Sequence, residues 1–522
     1  MAEKGDSTIP GVIPAIVRTF LRPRLSILLT VAALALGVAA VWFTPREEEP
    51  QIVVPMADVF VRAPGASVGE IEKLVVAPLE KLLWQVDGVE YVYSASREGL
   101  AVVTVRFYVG QHREHSLVRL YNQIRMHTDA VPPIVTGWVV KPVEIDDVPI
   151  VNVTLHSARY GPYELRRVGE EVLARVTEVP RVSRAVLVGG RPREIRVELS
   201  PRQLAGRGVD PLDVVGALTA ADASVRTEGV TQANHRIEVD SSAFLRTAED
   251  VRNLVVGVHE DGPVYLRDVA AVLDGPAEAA SYCRIGFGRA FLQRNPEHPA
   301  AGGGEGGPTP AASRKTVPAV TVAFAKKKGT NAVWVARDIL DRVEALRGPV
   351  IPEDVQVTVT RNYGRTAEAK VSELLRSLLF AVVTVVALLA LTLGWREAAI
   401  VGLSVPVSFS LTLFVNYLIG YTVNRVTLFA LILALGLVVN DPITNVDNIQ
   451  RHVFKGERGP REATLFAVHE VLPPVLVSTV AIIIAFLPMS FITGMMGPYM
   501  APMAANVPLT VFFSTVCALT IV

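Results

Sequence analysis

Gly436-Leu437-Val438-Val439-Asn440-Asp441-Pro442-Ile443 sets one carboxylate inside a stretch otherwise suited to hydrocarbon. From Val426 to Asn440 no residue is charged, and the pattern runs on to about Ile449 through Asp441 and Asp447. A run of that length and polarity reads as a membrane-spanning helix. Asp441 lies about 3–4 residues past its middle, ~5 Å by helix rise. An ionised carboxylate there costs about 2.5 kcal/mol or more, so it must face protein or water and have a partner. Its neighbours then decide whether it holds a proton. A group whose protonation follows the movement of a partner is what a proton-coupled transporter requires; the plainer alternative is an Asp that only joins helices by hydrogen bonds. Pro442 has no amide proton, which leaves the Val438 carbonyl open to water or to a side chain near the acid. Asn440 cannot titrate, but it can donate and accept, and so could hold a proton-carrying water or a partner lysine. Asp447 and Asn448 fall near the inner interface, where Asp447 reaches water.

Outward from this run the same composition recurs. Half of the 522 residues are hydrophobic and a fifth are charged, against about a quarter charged in soluble proteins. The excess sits in a few uncharged runs, which excludes a cytosolic enzyme, a disordered chain and a fibrous repeat. Six spans are expected, at 25–44, 374–394, 398–420, 426–449, 471–492 and 504–522. The last two come from one uncharged stretch, Val471–Val522, divided by the Gly-, Pro- and Met-rich segment Ile492–Val507. The first span exceeds the apolar core of a signal peptide, and no A-x-A site closely precedes the folded region. Arg18, Arg22 and Arg24 before it, Arg396, and Arg451, Lys455, Arg458 and Arg461 in the 450–470 loop assign one side as inner. The N-terminal segment 1–24 is then inside, and residues 45–370 form one large outer domain. Lys+Arg and Asp+Glu are both 51, so no basic excess supports nucleic-acid binding. The two cysteines, Cys283 and Cys517, occupy different environments and are not expected to pair; no Cys/His spacing suggests zinc.

The outer domain reads as a repeat. Gln51–Ala63 alternates as a strand. Ser67-Val68-Gly69-Glu70 is a capping box that starts a helix running to about Val86, with a kink expected at Pro78. Strands Tyr91–Ser96 and Leu100–Val109 and a helix Glu114–Val131 follow, giving β-α-β-β-α; the next strand, Ile150–His156, can complete or restart the unit. About 90 residues on, Val176-Thr177-Glu178-Val179-Pro180-Arg181-Val182 matches Val86-Asp87-Gly88-Val89-Glu90-Tyr91-Val92 at every Val. Each heptapeptide follows an amphipathic helix and precedes a strand, a Gly turn and another alternating strand, so two split β-α-β units side by side are expected. Pro201–Asp274 looks inserted into the second unit, which resumes at Val317–Phe324 and Ala332–Leu346. Arg294–Ser313 reads as a flexible surface loop.

Taken together these features resemble the resistance-nodulation-division (RND) efflux transporters, of the AcrB-like multidrug kind. Pro64-Gly65-Ala66-Ser67 and Ala77-Pro78-Leu79-Glu80 are similar to the start of that family's first porter subdomain, and Gly329-Thr330-Asn331-Ala332 to its Gly-x-Asn-Ala turn. Val405-Pro406-Val407, Val423-Asn424, the fourth-span stretch quoted above and Phe486-Leu487-Pro488-Met489 are similar to its third to fifth spans. The resemblance covers nearly the whole chain and implies an α-helical polytopic membrane protein with six transmembrane helices and an α+β periplasmic porter domain. It implies two ferredoxin-like βαββαβ subdomains, at 45–142 and at 143–200 with 275–370, and a docking insert at 201–274. It further implies an inner-membrane proton antiporter, not an enzyme, that exports lipophilic compounds with no cofactor. The implied partners are a periplasmic adaptor (membrane fusion) protein, an outer-membrane channel protein, and further copies or relatives in a homotrimer or heterotrimer. Two departures stand out. The family usually has twelve spans, so the chain is expected to be an N-terminal half, without the lysine that pairs with the span-four acid. Drug exporters carry Asp-Asp where this chain has Asn440-Asp441, which makes Asp441 and Asn440 the expected proton relay beside Pro442.

Other candidates are weaker. His112-Arg113-Glu114-His115 puts two His at a helix start, where a solvated loop outweighs a metal site. Asp146-Asp147 reads as a surface pair in a linker. Met489, Met495, Met496, Met500 and Met503 could relay soft metal ions but also fill apolar gaps. Three functions remain open: the membrane subunit of a proton-driven pump, a proton-uncoupled structural partner in a heteromeric assembly, and an exporter of metal ions or lipids.

Overall fold

The computed structural model describes residues 19–20, 23–50, 52–221, 224–232, 235–242, 245–260, 262–294 and 316–521. Arg18, Arg22, Gln51 and all of the expected 294–313 loop beyond Arg294 lie outside them. In the first outer unit, strands β1 (Met56–Arg62), β2 (Val89–Arg97), β3 (Leu100–Phe107) and β4 (Gly137–Val143) form one antiparallel sheet in the order β2-β3-β1-β4. The alternation in β1 and β3 buries Val59, Val61, Val103, Val105 and Phe107 against two helical segments, Val68–Trp84 and Arg113–Met126. The capping box is formed: Ser67 N donates to Glu70 Oε2 at 2.8 Å, and Glu70 N donates to Ser67 Oγ at 3.4 Å. At Pro78 the helix does not simply kink. A π-helical turn, Ile71–Val76, precedes it, so the proline opens a fresh α segment, Ala77–Trp84, where its missing N–H is tolerated. The fourth strand is β4, not Ile150–His156. Lys141 and Pro142 obscure it in the sequence, and an edge strand bonded on one side tolerates the proline.

The second unit opens with β5 (Val151–His156), a helix Pro162–Thr177 and β6 (Val182–Val188). The next strand, β7 (Arg193–Leu199), does not form the expected hairpin with β6. It pairs with β12 (Ala270–Pro276), so the inserted unit begins about eight residues before Pro201 and includes both. Between them lie two hairpins, β8 (Ser224–Gln232) with β9 (His235–Ser242), and β10 (Val255–His259) with β11 (Gly262–Tyr265). Their helices and β12 close around Leu204, Val214, Val251 and Leu266. After the short β13 (Arg284–Gly286), the second unit resumes with β14 (Thr316–Lys326), the helix Ala332–Ala345 and β15 (Gln356–Asn362). β14 lies between β6 and β5, and β15 flanks β5, which repeats the strand order of the first unit.

The repeat has a different register from the one the valines suggest. Val86 N donates to Leu83 O and Val89 N to Val86 O; the same turn recurs as Val179 N to Val176 O and Val182 N to Val179 O. Val89 therefore corresponds to Val182, and Gly88 to Arg181. Both of the latter take left-handed backbone, at φ +86° and +76°. Valines spaced by three match equally well after a shift of three, so only the left-handed residue identifies the register.

Six helices are long and apolar enough to cross a membrane, within Leu25–Phe43, Tyr363–Thr392, Trp395–Leu418, Arg425–Lys455, Pro460–Phe491 and Met496–Thr520; they are spans 1 to 6 below. Three expectations change. The segment 450–470 is mostly helix, since spans 4 and 5 run out to Lys455 and from Pro460. Span 6 starts at Met496 rather than at 504, because Pro502 and Pro508 are carried inside the helix. Span 4 is two helical segments, Arg425–Val438 and Asn440–Lys455, that meet at Val439, beside the acid. Spans 1 and 3 approach closely at Gly37, where an added Cβ would fall 2.8 Å from the Ser410 Cα.

Candidate functional site

Pro442 lacks the N–H that would bond to Val438, and the freed Val438 carbonyl accepts from Ser514 Oγ of span 6 at 2.5 Å. This is the side-chain partner the sequence allows for. One residue on, Asp441 is buried with 6 % of its surface exposed. Its Oδ2 accepts from Thr515 Oγ1 of span 6 at 2.6 Å and from Thr479 Oγ1 of span 5 at 3.3 Å. The two hydroxyl oxygens are themselves 2.8 Å apart. Each also lies near its own helix's carbonyl, Thr479 with Val475 at 2.9 Å and Thr515 with Val511 at 3.2 Å. Two hydroxyl protons thus serve more acceptors than they can satisfy at once. Their distribution can change with the charge on Asp441, while spans 4, 5 and 6 remain joined. Among the described residues no Lys or Arg forms an ion pair with Asp441.

Asn440 does not join this cluster. It lies on the exposed side of span 4, facing away from Thr479 and Thr515. The residues that follow Asp441 on its buried face are Asn445, Asn448 and His452, at helical spacing. Asn445 Nδ2 donates to Ala518 O at 3.0 Å, and Asn448 Nδ2 donates to Ala467 O at 2.9 Å and to Glu470 Oε2 at 3.1 Å. His452 Nε2 lies 2.8 Å from the same Glu470 oxygen. Asn448 is therefore an interhelical tie rather than an interfacial residue, while Asp447 is exposed. Thr479, Thr515, Ser514 and Asn445 are missed by a search for charged groups alone. Their signal is a polar side chain in an uncharged span, which marks a helix contact.

The weaker candidates take ordinary places. The His112 and His115 rings stack at 4.4 Å, and among the described residues no group of three or more His, Cys, Asp or Glu could hold a metal ion. Met495 and Met496 are exposed, whereas Met503 packs into the span core. Asp146 departs from its surface reading: it is mostly buried, with Oδ1 3.5 Å from Lys326 Nζ, which also pairs with Glu47 Oε1 at 2.7 Å. Glu47 lies just past span 1, so the sequence separates this trio widely and cannot reveal it.

A family model described as the AcrB/AcrD/AcrF family matches residues 16–287 and 304–522. Multidrug resistance protein MdtC of Yersinia pestis bv. Antiqua (strain Angola) is 28 % identical over 506 residues, 96 % of this chain and 46 % of that protein. MdtC of Photorhabdus laumondii subsp. laumondii is 27 % identical over the same shares. The chain spans about half the length of the curated relatives it matches.

Proposed function

This chain belongs to the AcrB/AcrD/AcrF family, and from that premise we propose that it supplies the membrane and porter elements of a proton-driven RND efflux permease in the bacterial inner membrane. The observation that carries this reading is Asp441, buried inside span 4 and held by hydroxyls of spans 5 and 6 with no cation beside it. Loading and unloading a proton there alters what those two hydroxyls bond to, and so biases how three helices pack. The two outer units are ferredoxin-like porter subdomains, the inserted unit is the docking element, and lipophilic compounds are the cargo. A trimer working with a periplasmic adaptor and an outer-membrane channel completes the route.

The test is dye efflux and proton uptake by the natural full-length protein in cells stripped of their own pumps, compared with Asp441→Asn and Asn440→Asp. Loss of both activities in Asp441→Asn is the expected result; unchanged efflux refutes the reading. A second reading, an uncoupled structural partner, draws on Asn440, which puts an amide where drug exporters carry an acid and leaves it outside the Asp441 cluster. Native protein without efflux that regains it in Asn440→Asp would select that reading.

A further inference from the structure

We propose that spans 3 and 6 enclose a file of ordered water that delivers protons to Asp441 from the side on which the outer units lie; this rests on the proton-driven reading above. Asn416 and Thr412 of span 3 are a helical turn apart, as are Asn506, Thr510 and Ser514 of span 6, and all five are essentially shut off from the surface. Small polar residues between packed membrane helices often do no more than let the helices approach. The amides argue for more than that here. Asn506 Nδ2 donates to the Pro502 carbonyl at 2.5 Å, so its Oδ1 must be the atom that accepts from Asn416 Nδ2. That bond aims the Asn416 side chain at span 6 and leaves its Oδ1 buried without any partner. A buried carbonyl oxygen without a donor is costly, and water is the small donor that satisfies it.

The rest of the file suits the same occupant. The Thr412 and Thr510 hydroxyls donate to the carbonyls one turn back, Ser408 O at 2.9 Å and Asn506 O at 2.5 Å. Their protons are committed, and their lone pairs remain to accept from water. The file ends at Ser514, whose neighbour Thr515 donates to Asp441. Eight residues separate Asn506 from Ser514, about 12 Å by helix rise, a distance for a short chain of waters. A lining of acceptors favours a hydrated excess proton over any anion. The excess proton enters beside Asn416, passes between waters and ends on the Asp441 carboxylate, leaving every lining hydroxyl as it began.

The experiment reconstitutes the full-length protein in vesicles and follows proton uptake with a pH-sensitive dye. Asn416→Leu and the near-isosteric Thr510→Val and Thr412→Val should each slow uptake about tenfold, the effect of one lost hydrogen bond of ordinary strength. Thr510→Ser, which keeps the hydroxyl, should run at the native rate, and substrate KM should stay while turnover falls. Native rates in all three apolar variants, with Asp441→Asn inactive, overturn the file and leave the proposed function standing. Uptake that survives Asp441→Asn overturns both. Export driven by a sodium gradient in the absence of a proton gradient would give the file to sodium and overturn the proton assignment.

Discussion

The ion pair of Glu47 with Lys326 is the contact whose loss should be felt furthest. The two atoms are 2.7 Å apart, and the side chains are 5 % and 7 % exposed. The strap that carries Glu47 is bonded to the outer end of span 4: Val423 N donates to Pro45 O at 3.0 Å, Glu47 N to Val423 O at 3.1 Å, and Arg425 N to Glu48 O at 3.1 Å. Glu49 adds an ion pair to Arg425 at 2.6 Å. Lys326 ends β14, so a single side-chain pair ties the helix bearing Asp441 to the second outer unit. Removing one partner of a buried pair costs about 3–5 kcal/mol. Asp146 stays 3.5 Å from Lys326, so Glu47→Gln should fall at the lower end, about 3 kcal/mol. For a unit of a few hundred residues that lowers Tm by about 6–12 °C. Thermal melting of purified protein measures it, with Lys326→Gln and the double variant completing a cycle. The double variant should be more stable than the sum of the singles predicts by about 2 kcal/mol. Singles within 2 °C of native (about 1 kcal/mol or less), or effects that simply add, would refute the buried-pair argument.

Other outcomes follow from single positions. Arg181→Gly should stabilise the second unit by about 0.5–1 kcal/mol, because relief of left-handed strain exceeds the added chain entropy; chemical unfolding reads it. Gly37→Leu should force spans 1 and 3 apart at Ser410, which appears as lost heat resistance and poor membrane assembly. Hydrogen bonds from Thr247 hold the Asp250 carboxyl below the usual carboxylate range. Its contribution is complete above that range and is lost as pH falls through the lower folded value, so the inserted unit should become more protease-sensitive below about pH 4, and less steeply so in Thr247→Ala.

Much of this protein is legible locally. Apolar runs mark the spans because hydrocarbon admits few charges, and the capping box at Ser67 and the carbonyl released by Pro442 are consequences of residues within one turn of each other. Legibility falls off where the deciding partner is distant. β7 alternates as a hairpin partner of β6 should, yet it pairs with β12, because alternation records which face is buried and not which strand lies alongside. Asp146 looks like a linker residue until β14 and the strap after span 1 bring Lys326 and Glu47 to it.

The candidate site divides the same way. The sequence by itself determined that a carboxylate sits within span 4 beside a proline, and that it needs partners, since burial cost depends on residue type and position alone. Only the tertiary structure decided that those partners are Thr479 and Thr515, and that Asn440 lies on the other side of the helix. A short break at Val439 and the packing of spans 5 and 6 set which residues of span 4 face inward, and that depends on helices which the chain brings together from dozens of residues away.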